Sequence, residues 1–306
     1  MPRTKVGQTS SPKLHIDVTR PQQDETTVAP VIRGFVSPLI KVDQVSQTFG
    51  SQRALDHVSV TITPGEFVVV VGRSGAGKTT LLRMLSRAIT VGDGELRVGG
   101  VDIGALRGSE LRGYRARVGM IYQQFNLVKR LSVMDNVLIG RLAHLSGWPR
   151  VAALVRWFDA SERAVACRAL AHVGLLDRAW QRADTLSGGE QQRVAIAKIL
   201  AQAPRLVLGD EPVASLDLHN GELVMATLRE ITTAAGLTVV TTLHHVEYAR
   251  RYADRVLGLR DGRLVFDGPP EDLTDGVLTM IFGECSTPES RNPSLAIADA
   301  GAQIAS

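Results

Sequence analysis

Apolar and polar residues alternate at Ile40-Lys41-Val42-Asp43 and along His57-Val58-Ser59-Val60-Thr61-Ile62, a period of two that predicts half-buried strands of an antiparallel edge. Phe67-Val68-Val69-Val70-Val71 is apolar throughout, as a strand covered on both faces must be. Shorter runs of the same kind recur at Gly119-Met120-Ile121-Tyr122, Leu206-Val207-Leu208, Leu237-Thr238-Val239-Val240-Thr241 and Val256-Leu257-Gly258-Leu259. Helical segments separate them, which is the rhythm of a parallel core, so the predicted fold class is α/β. Residues 125–190 break that rhythm and read as a mostly helical insertion: Asp159-Ala160-Ser161-Glu162 has the form of a capping box, and Leu170 and Val173 mark an apolar stripe. Trp148, Pro149, Trp157 and Phe158 precede the stripe and are expected to pack the insertion's own small core, docking of a partner being the alternative.

Both ends lack such patterns. Residues 1–37 are rich in Pro, Ser, Thr, Gln and charge with no period that would bury a face, and read as a flexible arm. Residues 286–306, interrupted by Pro288 and Pro293, read as a disordered tail, leaving residues 38–285 as the folded domain. A chain of 306 residues with 44% hydrophobic residues can bury a sizeable core. The excess of 35 basic over 31 acidic residues is small and scattered, so nucleic acid is not an expected partner. Cys167 and Cys285 form no CxxC pair, which argues against a disulfide framework or a zinc site and fits a reducing cytosol. No apolar run approaches membrane-spanning length, and no secretory signal precedes Arg33.

Chemistry enters with Gly72-Arg73-Ser74-Gly75-Ala76-Gly77-Lys78-Thr79-Thr80, set between the buried run ending at Val71 and an apolar-periodic helix. Three glycines let backbone N–H groups turn toward an anion, the helix points its positive end at it, and Lys78 adds a full charge for the β- and γ-phosphates. The Thr79 hydroxyl can then serve a magnesium ion. These features predict a nucleotide and Mg²⁺ as ligands and, alone, leave kinases, GTPases and many ATPases open. A second anion-binding helix start follows at Leu186-Ser187-Gly188-Gly189-Glu190, where a hydroxyl and N–H groups suit a γ-phosphate. One chain cannot easily bring both ends to one nucleotide.

With these residues the chain resembles the ATP-binding cassette (ABC) family of transport ATPases, whose LSGGQ signature stands here with Glu190 in the final position. The resemblance covers residues 38 to about 270 and implies the ABC ATPase fold, a phosphate-loop core with a helical subdomain over about 125–190. It also implies that Ser187, Gly188, Gly189 and Glu190 of one copy close on ATP held by residues 72–80 of a second, so that two copies share two composite sites. Asp210, ending the strand Leu206-Val207-Leu208-Gly209, is then the magnesium carboxylate, and Glu211 the residue that polarises an attacking water. Gln123 matches the glutamine that senses magnesium and water, with Gln124 as the alternative. His244 matches the histidine that contacts the γ-phosphate and orients Glu211, with His245 as the alternative. Asp217 matches the residue that orders the opposite phosphate site, a helix cap being its other reading. Phe49 stands where relatives carry an aromatic ring that stacks on adenine.

The resemblance further implies integral-membrane permease subunits as partners, a solute-binding protein indirectly, and a peripheral position on the cytoplasmic face of the cell inner membrane. The stretches Gln123–Val133, Asn136–Leu142, Val173–Asp177 and Gln181–Asp184, with Trp148, look specifically like phosphonate-importer ATPases. Importers of phosphate or an amino acid would use the same engine, and a soluble accessory subunit of a carbon–phosphorus lyase complex is a further alternative. Translation factors with paired cassettes and repair ATPases with long coiled coils do not match this single, compact set of motifs, and a simple kinase would leave Ser187 without a role.

Overall fold

A computed structural model describes residues 39–145 and 158–283. The expected arm, the tail, Cys285 and the residues Trp148, Pro149 and Trp157 lie outside them.

Two sheets form. β1 (Ile40–Phe49), β2 (Gln52–Ile62), β4 (Asp93–Val98) and β5 (Val101–Asp102) make an antiparallel sheet in the order β2-β1-β4-β5. β3 (Phe67–Val71), β6 (Val118–Ile121), β7 (Leu206–Asp210), β8 (Thr238–Thr242), β9 (Arg255–Arg260) and β10 (Arg263–Gly268) make the other, in the order β10-β9-β3-β8-β7-β6. All its pairings are parallel except that of β9 with β10. Among the described residues the α-helices are α1 (Lys78–Leu85), α2 (Gly108–Ala116), α3 (Val133–Ile139), α4 (Ala160–His172), α5 (Gly188–Gln202), α6 (Leu218–Ala235), α7 (Val246–Tyr252) and α8 (Asp275–Phe282).

The apolar run at β3 is buried on both faces because two cores meet on it. Val68 and Val70 join Ile40, Val42, Leu55, Leu96 and α1 in the core between the sheets. Phe67, Val69 and Val71 join the core under the helices, with Val137, Leu170, Ile196 and Leu228. Phe158 is buried in this second core, and Leu170 and Val173 of the expected stripe lie there too.

β1, which is flanked by β2 and β4 and so is no edge strand, and β2 both run further than their alternation predicts, since they carry register shifts and Gln44 and His57 adopt positive φ of 48° and 50°. Such bulges flip the period of two mid-strand. Tyr122 falls outside β6 and is exposed, whereas β7, β8 and β9 include the expected runs except Leu237. The stretch expected to be helical includes α3, α4 and short 3₁₀ turns at Gly140–Ala143, Leu176–Arg178 and Ala183–Thr185. The capping-box reading is half right: Asp159 caps α4 by accepting from Glu162 N, but the Glu162 carboxylate turns to Arg141. A reciprocal capping box forms instead at α5, between Ser187 and Glu190.

Candidate active site

Residues 72–77 form the turn from β3 into α1, and its shape is set by close backbone approach. Gly72 and Gly77 hold φ of +152° and +100°, and a Cβ would stand 2.2 Å from the Leu259 carbonyl oxygen at the first and 2.4 Å from that of Ala54 at the second. Only glycine fits there. Lys78 is buried, and its Nζ donates to the carbonyls of Gly72 at 2.8 Å and Arg73 at 3.1 Å, so the loop curls around the ammonium. An ammonium has three donors, which leaves one for a phosphate oxygen. Burial lowers the Lys78 pKa, while the carboxylates of Glu211 and Asp210 act in the opposite sense.

The parallel register carries Asp210 and Glu211 to the same end of the sheet. Thr79 Oγ1 donates to Asp210 Oδ1 at 3.0 Å, and Thr242 Oγ1 lies 3.2 Å from the same oxygen. Glu211 holds φ of 51°, a left-handed conformation that costs an ordinary residue of order 1–3 kcal/mol. Its N–H is fixed by Thr242 Oγ1 at 3.0 Å. His244 Nε2 lies 2.6 Å from Glu211 Oε1, within hydrogen-bond distance, and an ionised carboxylate there would accept from an Nε2–H. His245 points elsewhere, its ring edge-on to Tyr248.

Phe49, half exposed at the end of β1, lines with Gln52, Ala54, Ser74, Gly75, Gly77, Lys78, Thr79, Thr80 and Glu211 an open cleft of about 240 Å³. Gln52, Ala54 and Thr242 were not singled out from the sequence. The first two lie in a strand whose start the bulges obscure, and Thr242 carried only the signal of a hydroxyl at a strand end facing Asp210.

Ser187, Gly188, Gly189, Glu190 and Asp217 do not line this cleft among the described residues. They form a second group. Ser187 Oγ accepts from Glu190 N at 3.3 Å, and Glu190 Oε2 accepts from Ser187 N at 2.8 Å, which lowers the Glu190 pKa. Asp217 caps α6: its carboxylate accepts from Asn220 N at 2.9 Å and Asn220 Nδ2 at 2.7 Å, and these bonds lower its pKa. Asn220 also lies so close to Gly189 that a Cβ there would stand 2.1 Å from Asn220 Oδ1. Gln192 joins the two groups, being fully buried and donating to the Pro212 carbonyl at 2.7 Å beside Glu211. Gln123 and Gln124 occupy the exposed bend after β6, and no hydrogen bond brings Gln123 to Asp210 or Glu211.

A phosphate loop, a strand ending at Asp210 with Glu211 next to it, and a separate Ser-Gly-Gly helix start define an ATP-binding cassette ATPase. The family model described as ABC transporter matches residues 55–214, and the chain belongs to that family. It is 49% identical over 244 residues to the phosphonates import ATP-binding protein PhnC of Rhodopseudomonas palustris, covering 80% of this chain and 89% of the relative. With PhnC of Bradyrhizobium diazoefficiens the identity is 48%, covering 80% and 90%. Among solved structures, a dimeric post-hydrolysis state of the ATP-binding cassette MJ0796 with ADP and Pi superposes with a TM-score of 0.66 at 31% identity, over 76% of this chain and 98% of that one.

Proposed function

We propose that this chain is the ATP-hydrolysing subunit of a phosphonate importer, in which residues 38–285 act as one ABC ATPase domain and two copies sandwich two ATP molecules. The observation that carries the dimer is the separation of two half-sites on one chain: residues 72–80 with Asp210, Glu211 and His244, and Ser187–Glu190 with Asp217. A second copy would supply the missing half to each cleft. The dimeric relative supports this arrangement, and the phosphonate import relatives support the cargo.

In this reading the backbone of residues 72–78 and the third donor of Lys78 hold the phosphates, and the exposed face of Phe49 stacks on adenine. Thr79 Oγ1 and Asp210 Oδ1, two hard oxygen donors already in contact, fit a magnesium ion, which when bound neutralises phosphate charge. Gln123 would approach that site by movement of its exposed bend. Glu211, held at Oε1 by His244, uses its other oxygen to take a proton from water as the water attacks the γ-phosphorus and the bond to ADP breaks.

Among the described residues no helix is long and apolar enough to cross a membrane, so the cargo pathway would belong to integral-membrane permease subunits, fed by a solute-binding protein. The chain would sit peripherally on the cytoplasmic face of the inner membrane. Reconstituted in liposomes with its permease and binding protein, it is expected to hydrolyse ATP faster with 2-aminoethylphosphonate than with phosphate or no cargo. Equal rates in all three conditions would remove phosphonate as the cargo.

Ser187→Arg tests the composite site itself. The guanidinium would occupy the α5 start and block the approach of a partner's nucleotide, so turnover is expected to fall about 100-fold or more. ATP binding by the monomer should persist, as measured by equilibrium dialysis. Full turnover would refute the shared site.

A further inference from the structure

Tyr248 lies in α7, whose capping residue is His245, the neighbour of His244. Its buried ring meets the His245 ring edge-on, with centroids 6.1 Å apart. The other end of the side chain reaches α6: a Cβ on Gly221 would stand 2.5 Å from Tyr248 Oη and 3.8 Å from Val213 Cβ. Gly221 belongs to the first turn of α6, and its N–H donates to the Asp217 carbonyl at 2.9 Å. Val213 stands two residues beyond Glu211. One ring thus abuts the turn that carries His244 and the helix start that Asp217 caps, beside the loop that leaves Glu211. Gly221 has no positive φ, so it is the approach of the phenol oxygen that leaves no room for a side chain.

We propose that Tyr248 is a positioning residue that ties the His244 turn to the Asp217 turn, so that the groups serving a chain's own ATP and the group it lends to its partner are set together. This rests on the two-half-site reading above. Packed contacts of this kind transmit displacement because the interior cannot absorb it by deforming.

The experiment is a double-mutant cycle on steady-state ATP hydrolysis by the full chain. Gly221→Ala drives a methyl into the phenol oxygen and is expected to lower kcat about tenfold, with the Hill coefficient for ATP falling toward one. Tyr248→Phe removes that oxygen while keeping the ring against His245, and is expected to lower kcat about threefold. Combining the two places the methyl 3.4 Å from Cζ, an ordinary contact, so the double variant should regain turnover and cooperativity. Wild-type kcat and Hill coefficient in Gly221→Ala would overturn the proposal, as would a double variant impaired by the product of the two single effects. Melting temperatures and monomer ADP affinity accompany each variant; where Gly221→Ala folds poorly, recovery in the double variant decides the matter in the same way. If the wild-type chain hydrolyses ATP as a dimer and the cycle is flat, the positioning role alone fails; if the wild-type chain is inert, the reading beneath it fails as well.

Discussion

Glu211→Gln is expected to lower ATP turnover about 10²- to 10⁴-fold while leaving ATP bound. The amide has the size of the carboxylate, and its carbonyl oxygen can still accept from His244 Nε2, so the left-handed turn at residue 211 and the bond from its N–H to Thr242 Oγ1 are retained. On the proposed mechanism, what is lost is the ability to take a proton from water. The groups proposed to hold phosphate, Lys78 and the backbone of residues 72–77, are untouched. Phosphate release followed against an unchanged nucleotide-binding isotherm checks the expectation; turnover within a few-fold of wild type would remove Glu211 as the base.

Lys78→Ala is expected to weaken nucleotide binding itself by about 10- to 100-fold, since a charge-assisted hydrogen bond contributes roughly 1.5–3 kcal/mol. Two effects add. The phosphate loses its cation, and the carbonyls of Gly72 and Arg73 lose the donor around which the loop is curled. The fold should survive, because the ammonium is held at a desolvation cost and the tight approaches at Gly72 and Gly77 keep the turn closed without it. Calorimetric titration with ATP, alongside a thermal melt, separates the two. Unchanged affinity in a folded variant would contradict the phosphate-loop assignment.

What could be read along the chain divides by how local its cause is. The phosphate loop and the Ser187–Glu190 helix start are contiguous motifs, so their residues stand together in sequence as they do in space. β3 was legible because burial on both faces leaves an unbroken apolar run. β4, β5 and β10 were not, being short or largely exposed, and α2 buries only Tyr114. The bulges at Gln44 and His57 concealed how far β1 and β2 extend, and with them the place of Gln52 and Ala54 in the cleft. Neither periodicity nor spacing separates His244 from His245; the fold does, setting the first on Glu211 and the second on Tyr248. The contact between Tyr248 and Gly221 depends on two helices that meet only after folding.

The shared dimer is the central claim, and sedimentation equilibrium of Glu211→Gln in saturating ATP and magnesium tests it most directly. The expected particle holds two chains and two unhydrolysed ATP molecules, reverting to monomer when Ser187→Arg is added. A monomer at saturating ATP, or a dimer indifferent to nucleotide, would contradict it.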